Sequence, residues 1–173
     1  MDSKKNKVGI LGGTFDPPHK GHIAISKEAV KKFKLKKVIW AITKKNPFKR
    51  KSITSLSTRI NYCEKIIDDI SFIKVKFYEK IINSNKTINL INYLTKNKKN
   101  EVYFLMGADN LINFHRWHQW KKISQKCTIL VFDRKGYKKK SLNSVTFKRL
   151  NKKNLEFIEF NKVNISSSKL RKI

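Results

Sequence analysis

His19 and His22 stand three residues apart directly after the run Gly12-Gly-Thr-Phe-Asp-Pro-Pro, the part of this 173-residue chain best equipped for chemistry. Adjacent glycines, Gly12 and Gly13, let a backbone approach a ligand closely and turn N–H groups toward an anion. Thr14 and Phe15 continue that loop. A helix starting near Gly21 adds the positive end of its dipole. The spacing fits neither GxGxxG nor GxxxxGK[ST], so the common nucleotide fingerprints do not account for it. Three uses are open to the histidine pair: metal ligation, helix capping, or hydrogen-bond donation to a phosphate. A zinc site needs a third protein ligand, and no cluster of His, Cys or carboxylates supplies one. The same objection meets the second HxxH pair, His115 and His118. Donation to phosphate is the better account, with no metal held by the protein itself.

Near the other end, Ser166, Ser167 and Ser168 are good N-cap residues. Arg171 follows three and four residues after Ser168 and Ser167, hence on one helix face with them. Hydroxyls, helix start and guanidinium together form a phosphate clamp. A plain serine cap with a solvated arginine is the alternative.

The elements that must position these groups alternate regularly. Val8–Leu11, Val38–Ile42, Val102–Met106 and Thr128–Phe132 read as buried strands, and Phe72–Tyr78 as a more alternating one. Helical spacing runs from about Gly21 to Phe33, and from Ser57 to Asp68, where Ile60, Cys63, Ile66 and Ile67 share a face. Thr87–Thr95 carries Ile88, Ile91 and Leu94 in the same manner, and a helical piece separates the last two strands. Lys138 to Asn154 is polar and basic, a short helix or loop. Short apolar strands alternating with helices predict an α/β fold with a mostly parallel, doubly wound, Rossmann-like sheet. In such a sheet, ligands bind beyond the carboxyl ends of the strands.

Composition bounds the partners. Hydrophobic residues make up 39% of the chain, enough for a real core. No apolar run approaches the roughly 20 residues of a membrane helix, and Val8–Leu11 is too short for a signal-peptide core. Cys63 and Cys127 lack CxxC spacing and read as buried free thiols of a reducing compartment, which points to the cytoplasm. Forty-one Lys and Arg against 12 Asp and Glu give a net charge of +29, a field that attracts polyanions. Only six of those 41 cations are Arg, and the lysines are scattered with Asn and Ile through every segment. That is what an AT-rich genome writes at tolerant surface positions, and it argues against nucleic acid as a specific partner. A basic nucleic-acid-binding module remains the reading from a different class. It would show salt-dependent binding to duplex DNA without ATP turnover.

Gly12-Gly-Thr-Phe-Asp-Pro-Pro-His-Lys-Gly-His22 resembles the GxFDPxHxGH signature of the HxGH nucleotidyltransferases. Ile165-Ser-Ser-Ser-Lys-Leu-Arg171 is similar to their second signature, ISSTxxR, with Ser168 keeping the hydroxyl of the usual Thr. Between them, Met106-Gly-Ala-Asp-Asn-Leu-Ile-Asn-Phe-His-Arg-Trp117 resembles a segment of bacterial nicotinate-mononucleotide adenylyltransferases. Asn46-Pro-Phe-Lys49, Lys86-Thr-Ile-Asn89 and Arg134-Lys-Gly-Tyr137 match smaller motifs of that family, with Lys135 for Pro and Asn89 for an acidic residue. Many relatives continue into further helix beyond the position of Arg171, which bears on oligomer contacts more than on chemistry.

The resemblance implies one domain over 1–173, with 165–173 as a short phosphate-binding helix start. It implies adenylyl transfer from ATP to nicotinate mononucleotide, giving nicotinate adenine dinucleotide and pyrophosphate. His19, His22 and Arg171 would be the catalytic groups. Gly12, Gly13, Thr14, Phe15, Gly107, Asp109, Ile165, Ser166 and Ser167 would join them in binding ATP, with Mg²⁺ held mainly by its phosphates. On the acceptor side, Trp117 would stack on the pyridine ring, Thr87 would meet the carboxylate, and Lys49 and Arg134 would lie near phosphate. From the residues alone, Trp117 and Trp120 read as core, and Asp109 equally as a helix cap. A homo-oligomer fits the family too. Nicotinamide mononucleotide is the close alternative acceptor. Pantetheine phosphate is disfavoured, because its enzymes usually carry Thr where His19 stands.

Overall fold

Strands that are apolar on both sides must be covered on both sides, and that requirement builds this molecule. A computed structural model describes residues 4–160 and residue 170. The strands are β1 (Asn6–Gly13), β2 (Lys37–Ile42), β3 (Ile73–Lys76), β4 (Asn100–Gly107), β5 (Thr128–Phe132) and β6 (Leu155–Ile158). The helices are α1 (Lys20–Phe33), α2 (Leu56–Ile66), α3 (Glu79–Ile82), α4 (Thr87–Thr95), α5 (Ala108–Asn113), α6 (Trp120–Lys126), α7 (Lys138–Leu142) and α8 (Val145–Arg149).

All neighbouring strands pair parallel, in the order β3-β2-β1-β4-β5-β6. That is the Rossmann order, with its reversal between β1 and β4. Registers such as Ile10 opposite Ile39 and Phe104 put like side chains on one face. Ile10, Ile39, Phe104, Ile129 and Val131 pack with Ile88, Leu111 and Ile123 of α4, α5 and α6. One residue along each strand, Leu11, Trp40, Leu105 and Leu130 pack on the other face with Ala29 of α1 and Cys63 of α2. Trp40 is fully buried, and its indole N–H donates to Ser26 Oγ at 2.9 Å.

The sequence expectations survive with adjusted edges. β3 is four residues rather than seven, and α1 starts at Lys20 because His19 caps it. The basic stretch forms two short helices, α7 and α8, then adds the sixth strand. Cys63 and Cys127 are buried free thiols, and burial pushes each up to about 12. No described helix is long and apolar enough to cross a membrane.

Candidate active site

The sheet's reversal leaves a crevice beyond the carboxyl ends of β1 and β4, and the first signature fills it. β1 ends at Gly13, and the chain passes through Thr14 and Phe15 into His19 and α1. Phe15 has a φ of 50° in the left-handed region, where a side chain is strained. Its ring is buried, stacked on Trp40 at 5.0 Å and tilted against His22 at 4.6 Å. Of Phe15, therefore, only the main chain is available to a ligand.

The two histidines cap the helix for each other. The Gly21 N–H donates to His19 Nδ1 at 3.1 Å, and the His19 N–H donates to His22 Nδ1 at 3.1 Å. The rings stack with centroids 3.8 Å apart. An Nδ1 that accepts carries no proton, so in each neutral ring the proton sits on Nε2. Capping and chemistry thus use opposite ends of the same imidazoles. Burial lowers His19 from 6.5 to about 4, helped by the nearby Arg134 charge. Burial likewise holds His22 well below its ordinary value, with His19, Lys49 and Arg134 adding repulsion.

The linkage has a definite sign. Unfolded histidines bind protons below about 6.5 while the folded ones resist, so the unfolded chain carries more protons in that window. Stability should be full above about pH 6.5 and fall as pH drops toward the His19 value near 4. Uptake on unfolding near pH 5 should approach about two protons, one per ring, measurable by calorimetry in buffers of different ionisation heat. A flat Tm from pH 7 to pH 5 would contradict the neutral, capping rings.

Across the crevice, α5 starts at the end of β4 with Asp109 in its first turn. Asp109 accepts a 2.7 Å salt bridge from Arg134 Nη1, both side chains partly exposed. A Cβ on Gly107 would lie 2.5 Å from the Asp109 carboxylate, so this glycine makes room for that pair. Asp109 therefore serves neither as a bare helix cap nor as an isolated carboxylate. Its ion pair holds the Arg134 charge that acts on His19 and His22.

A cavity of about 480 Å³ opens beside the glycine pair. Gly12, Gly13, Thr14, Lys49, Thr87 and Trp117 all line it. Trp117 stands edge-on to Phe104 at 6.0 Å and tilted against Phe114 at 5.1 Å, so one part of it is core and another faces the cavity. The core reading of Trp117 thus fits its packing, and its place on the cavity leaves a face open. Thr87 is the first residue of α4. Phe48, on the loop after β2, stacks under the Arg116 guanidinium at 5.2 Å and joins that loop to the Trp117 side. His19, His22, Gly107, Asp109 and Arg134 are not among the residues lining the cavity; they gather around the Arg134 charge, and Lys49 of the cavity also acts on His22. Ile165, Ser166, Ser167 and Arg171 lie outside the described residues, and with them the expected clamp.

Two groups escaped the sequence reading. Glu79 accepts from the Thr43 hydroxyl and, at 3.2 Å, from the Lys44 N–H, fixing the loop after β2. Arg59 is 2% exposed and bonds four main-chain carbonyls at the strand ends. It stands four residues before Cys63, on the face already read as buried, and that spacing was the available signal. Among the described residues, no three His, Cys, Asp or Glu side chains converge on a metal position.

Residues 10–173 match the family model described as cytidylyltransferase-like. A Pelagibacter ubique protein named "probable nicotinate-nucleotide adenylyltransferase" is 65% identical over all of this chain and 96% of its own length. One of the same name from Agrobacterium fabrum is 40% identical over 75% of this chain and 70% of its own. Among solved structures, Plasmodium falciparum nicotinic acid mononucleotide adenylyltransferase complexed with NaAD superposes with a TM-score of 0.80. At 21% identity, over 96% of this chain and 83% of that one, it shows likeness of fold alone. The matches to sequence and family model settle the lineage: the chain belongs to the cytidylyltransferase-like family, among its nicotinate-nucleotide adenylyltransferases.

Proposed function

We propose that the protein transfers the adenylyl group of MgATP to nicotinate mononucleotide, releasing nicotinate adenine dinucleotide and pyrophosphate. One observation carries the site assignment. The glycine loop that lines the cavity of Trp117 and Thr87 leads directly into the two imidazoles, and Lys49 of that cavity lies close enough to act on His22. An acceptor phosphate held at the cavity and an ATP α-phosphate held by the imidazoles would meet along that loop. The 5′-phosphate oxygen of the mononucleotide attacks the α-phosphorus. A P–O bond forms there, the bond to the bridging oxygen breaks, and pyrophosphate leaves with the electron pair. The nucleophile is already anionic, so no protein base is needed. What the chain supplies is positioning and neutralisation of spreading negative charge.

His19 and His22 donate through Nε2–H to the triphosphate, while Gly12, Gly13, Thr14 and the Phe15 N–H border its path. Lys49 and Arg134 add positive charge, and the sequence assigns Arg171, Ser166 and Ser167 to the terminal phosphates. The magnesium ion travels with ATP: Asp109 is already paired to Arg134, and no described cluster offers an all-protein cage.

Acceptor choice tests the reading. The acid and amide mononucleotides differ only at the ring substituent. N–H donors and the Thr87 hydroxyl suit a carboxylate, which accepts at both oxygens, and oppose the NH₂ of an amide. Opposed buried donors cost roughly 1–3 kcal/mol each, so kcat/KM should favour the acid by about ten- to several-hundredfold. Thr87→Val should narrow the gap, and Trp117→Ala should weaken both acceptors alike. Equal kcat/KM values, or a preference for the amide, would overturn the nicotinate assignment and leave adenylyl transfer standing.

A further inference from the structure

Arg59 of α2 has no part in the chemistry set out above, yet its guanidinium reaches the ends of two strands. Nη1 donates to Thr14 O at 2.6 Å and Thr43 O at 2.9 Å, Nη2 to Lys44 O at 3.2 Å, and Nε to Thr54 O at 3.2 Å. Those oxygens belong to the loop after β1, the loop after β2, and the turn before α2. Asp16 ties the same turn to the glycine loop, accepting from the Ile53 N–H at 2.7 Å and the Thr54 N–H at 3.4 Å. A buried guanidinium is tolerated only when its donors are met. A lysine, with its donors on one compact head, could not span this set.

A trans peptide holds its C=O and the following N–H on opposite sides, so whatever fixes the carbonyl also aims the amide. The Thr43–Lys44 peptide shows the effect. Thr43 O faces Arg59, and on the other side the Lys44 N–H meets Glu79 Oε1 at 3.2 Å. The Thr14–Phe15 peptide is held in the same way by the 2.6 Å bond, and its N–H belongs to the residue with the left-handed φ. Among the described residues, no acceptor meets that Phe15 N–H.

We propose that Arg59 is a positioning residue for adenylyl transfer: by gripping the Thr14 carbonyl, it aims the Phe15 N–H at the transferring phosphate. The kinetic half of this rests on the function proposed above; the aiming of the amide does not.

Two measurements test it together. The first is the Phe15 amide signal, selected by labelling Thr with ¹³C at the carbonyl and Phe with ¹⁵N. Only Thr14–Phe15 and Thr146–Phe147 then give signals, and the Phe147 N–H, already bonded to Ser144 Oγ at 3.1 Å, serves as internal reference. Adding MgATP should move the Phe15 resonance and leave Phe147 in place. In Arg59→Lys most of that movement should vanish. The second is kinetics: Arg59→Lys should lower kcat by about tenfold to a hundredfold, the loss expected for one misaimed donor or slightly less. KM for the mononucleotide should change by less than about threefold, since the cavity's side chains remain. Ile67→Ala is the control, loosening α2 against the sheet without touching the carbonyls, and should keep full kcat despite a lower Tm.

A wild-type Phe15 amide blind to MgATP would overturn the proposal, and this holds even if Arg59→Lys fails to fold. So would full kcat in Arg59→Lys, or a parallel kcat loss in Ile67→Ala, which would make the effect general loosening. A wild-type protein that shows the amide shift but turns over neither mononucleotide would sink the proposed function and leave the Arg59 assignment standing.

Discussion

Replacing His22 by alanine should lower kcat at least a hundredfold, about 3 kcal/mol of transition-state stabilisation, while the fold persists. The same change removes the acceptor of the His19 N–H and should lower stability by about 1 kcal/mol, the usual worth of a cap. Two further variants separate these effects. Asparagine offers an oxygen near the position of Nδ1 and nothing near Nε2, so His22→Asn should recover much of the Tm and none of the rate. Glutamine reaches toward the Nε2 position, so His22→Gln should recover part of the rate with less of the Tm. Turnover and melting rising together in both variants would sink the division of labour between the two ring nitrogens.

Gly12→Val should separate the two properties most fully: activity lost and stability kept. Gly12 sits in β1 opposite Ala41, and a Cβ there meets only the Phe104 ring edge, at 4.0 Å. The folded chain has room for a side chain at this point, and strands favour valine over glycine. Tm should hold or rise slightly. The new methyls would enter the cavity margin where the nucleotide is placed, and kcat/KM should fall by more than about a hundredfold. A valine variant retaining kcat/KM within tenfold would show that neither substrate passes over this glycine.

Four strands are legible in the sequence because a parallel sheet buried on both faces writes itself as continuous apolar runs, and β3 and the main helices through their alternation and helical spacing. β6 is not. Leu155-Glu-Phe-Ile158 is only four residues long, carries a charge, and follows a lysine-rich stretch. At the site, residue types were legible and partners were not. The spacing of His19 and His22 suggests donors to a phosphate, but which nitrogen is spent on the backbone is a matter of angle and distance. Asp109 looked like a cap because its partner, Arg134, lies 25 residues away. Phe15 belonged to the motif, yet its ring went to the core and left only the peptide. Arg59 was passed over because a charge on a helix is ordinarily solvated, whereas here the helix face that carries it turns inward. Arg171 and the serines before it stay assignments from sequence.

The reciprocal cap changes how the helix field reaches an anion. Phosphates at helix starts are ordinarily held by bare backbone N–H groups. In this chain the Gly21 and His22 amides are already engaged, to His19 Nδ1 and His19 O, and the His19 amide goes to His22. Each ring accepts a backbone proton at one nitrogen, which draws electron density across the imidazole and sharpens the donor at the other, as in any hydrogen-bonded chain. The positive pole of α1 is thereby carried outward by the width of one aromatic ring. A group that merely bore charge, such as a lysine at either position, would not serve as that conductor.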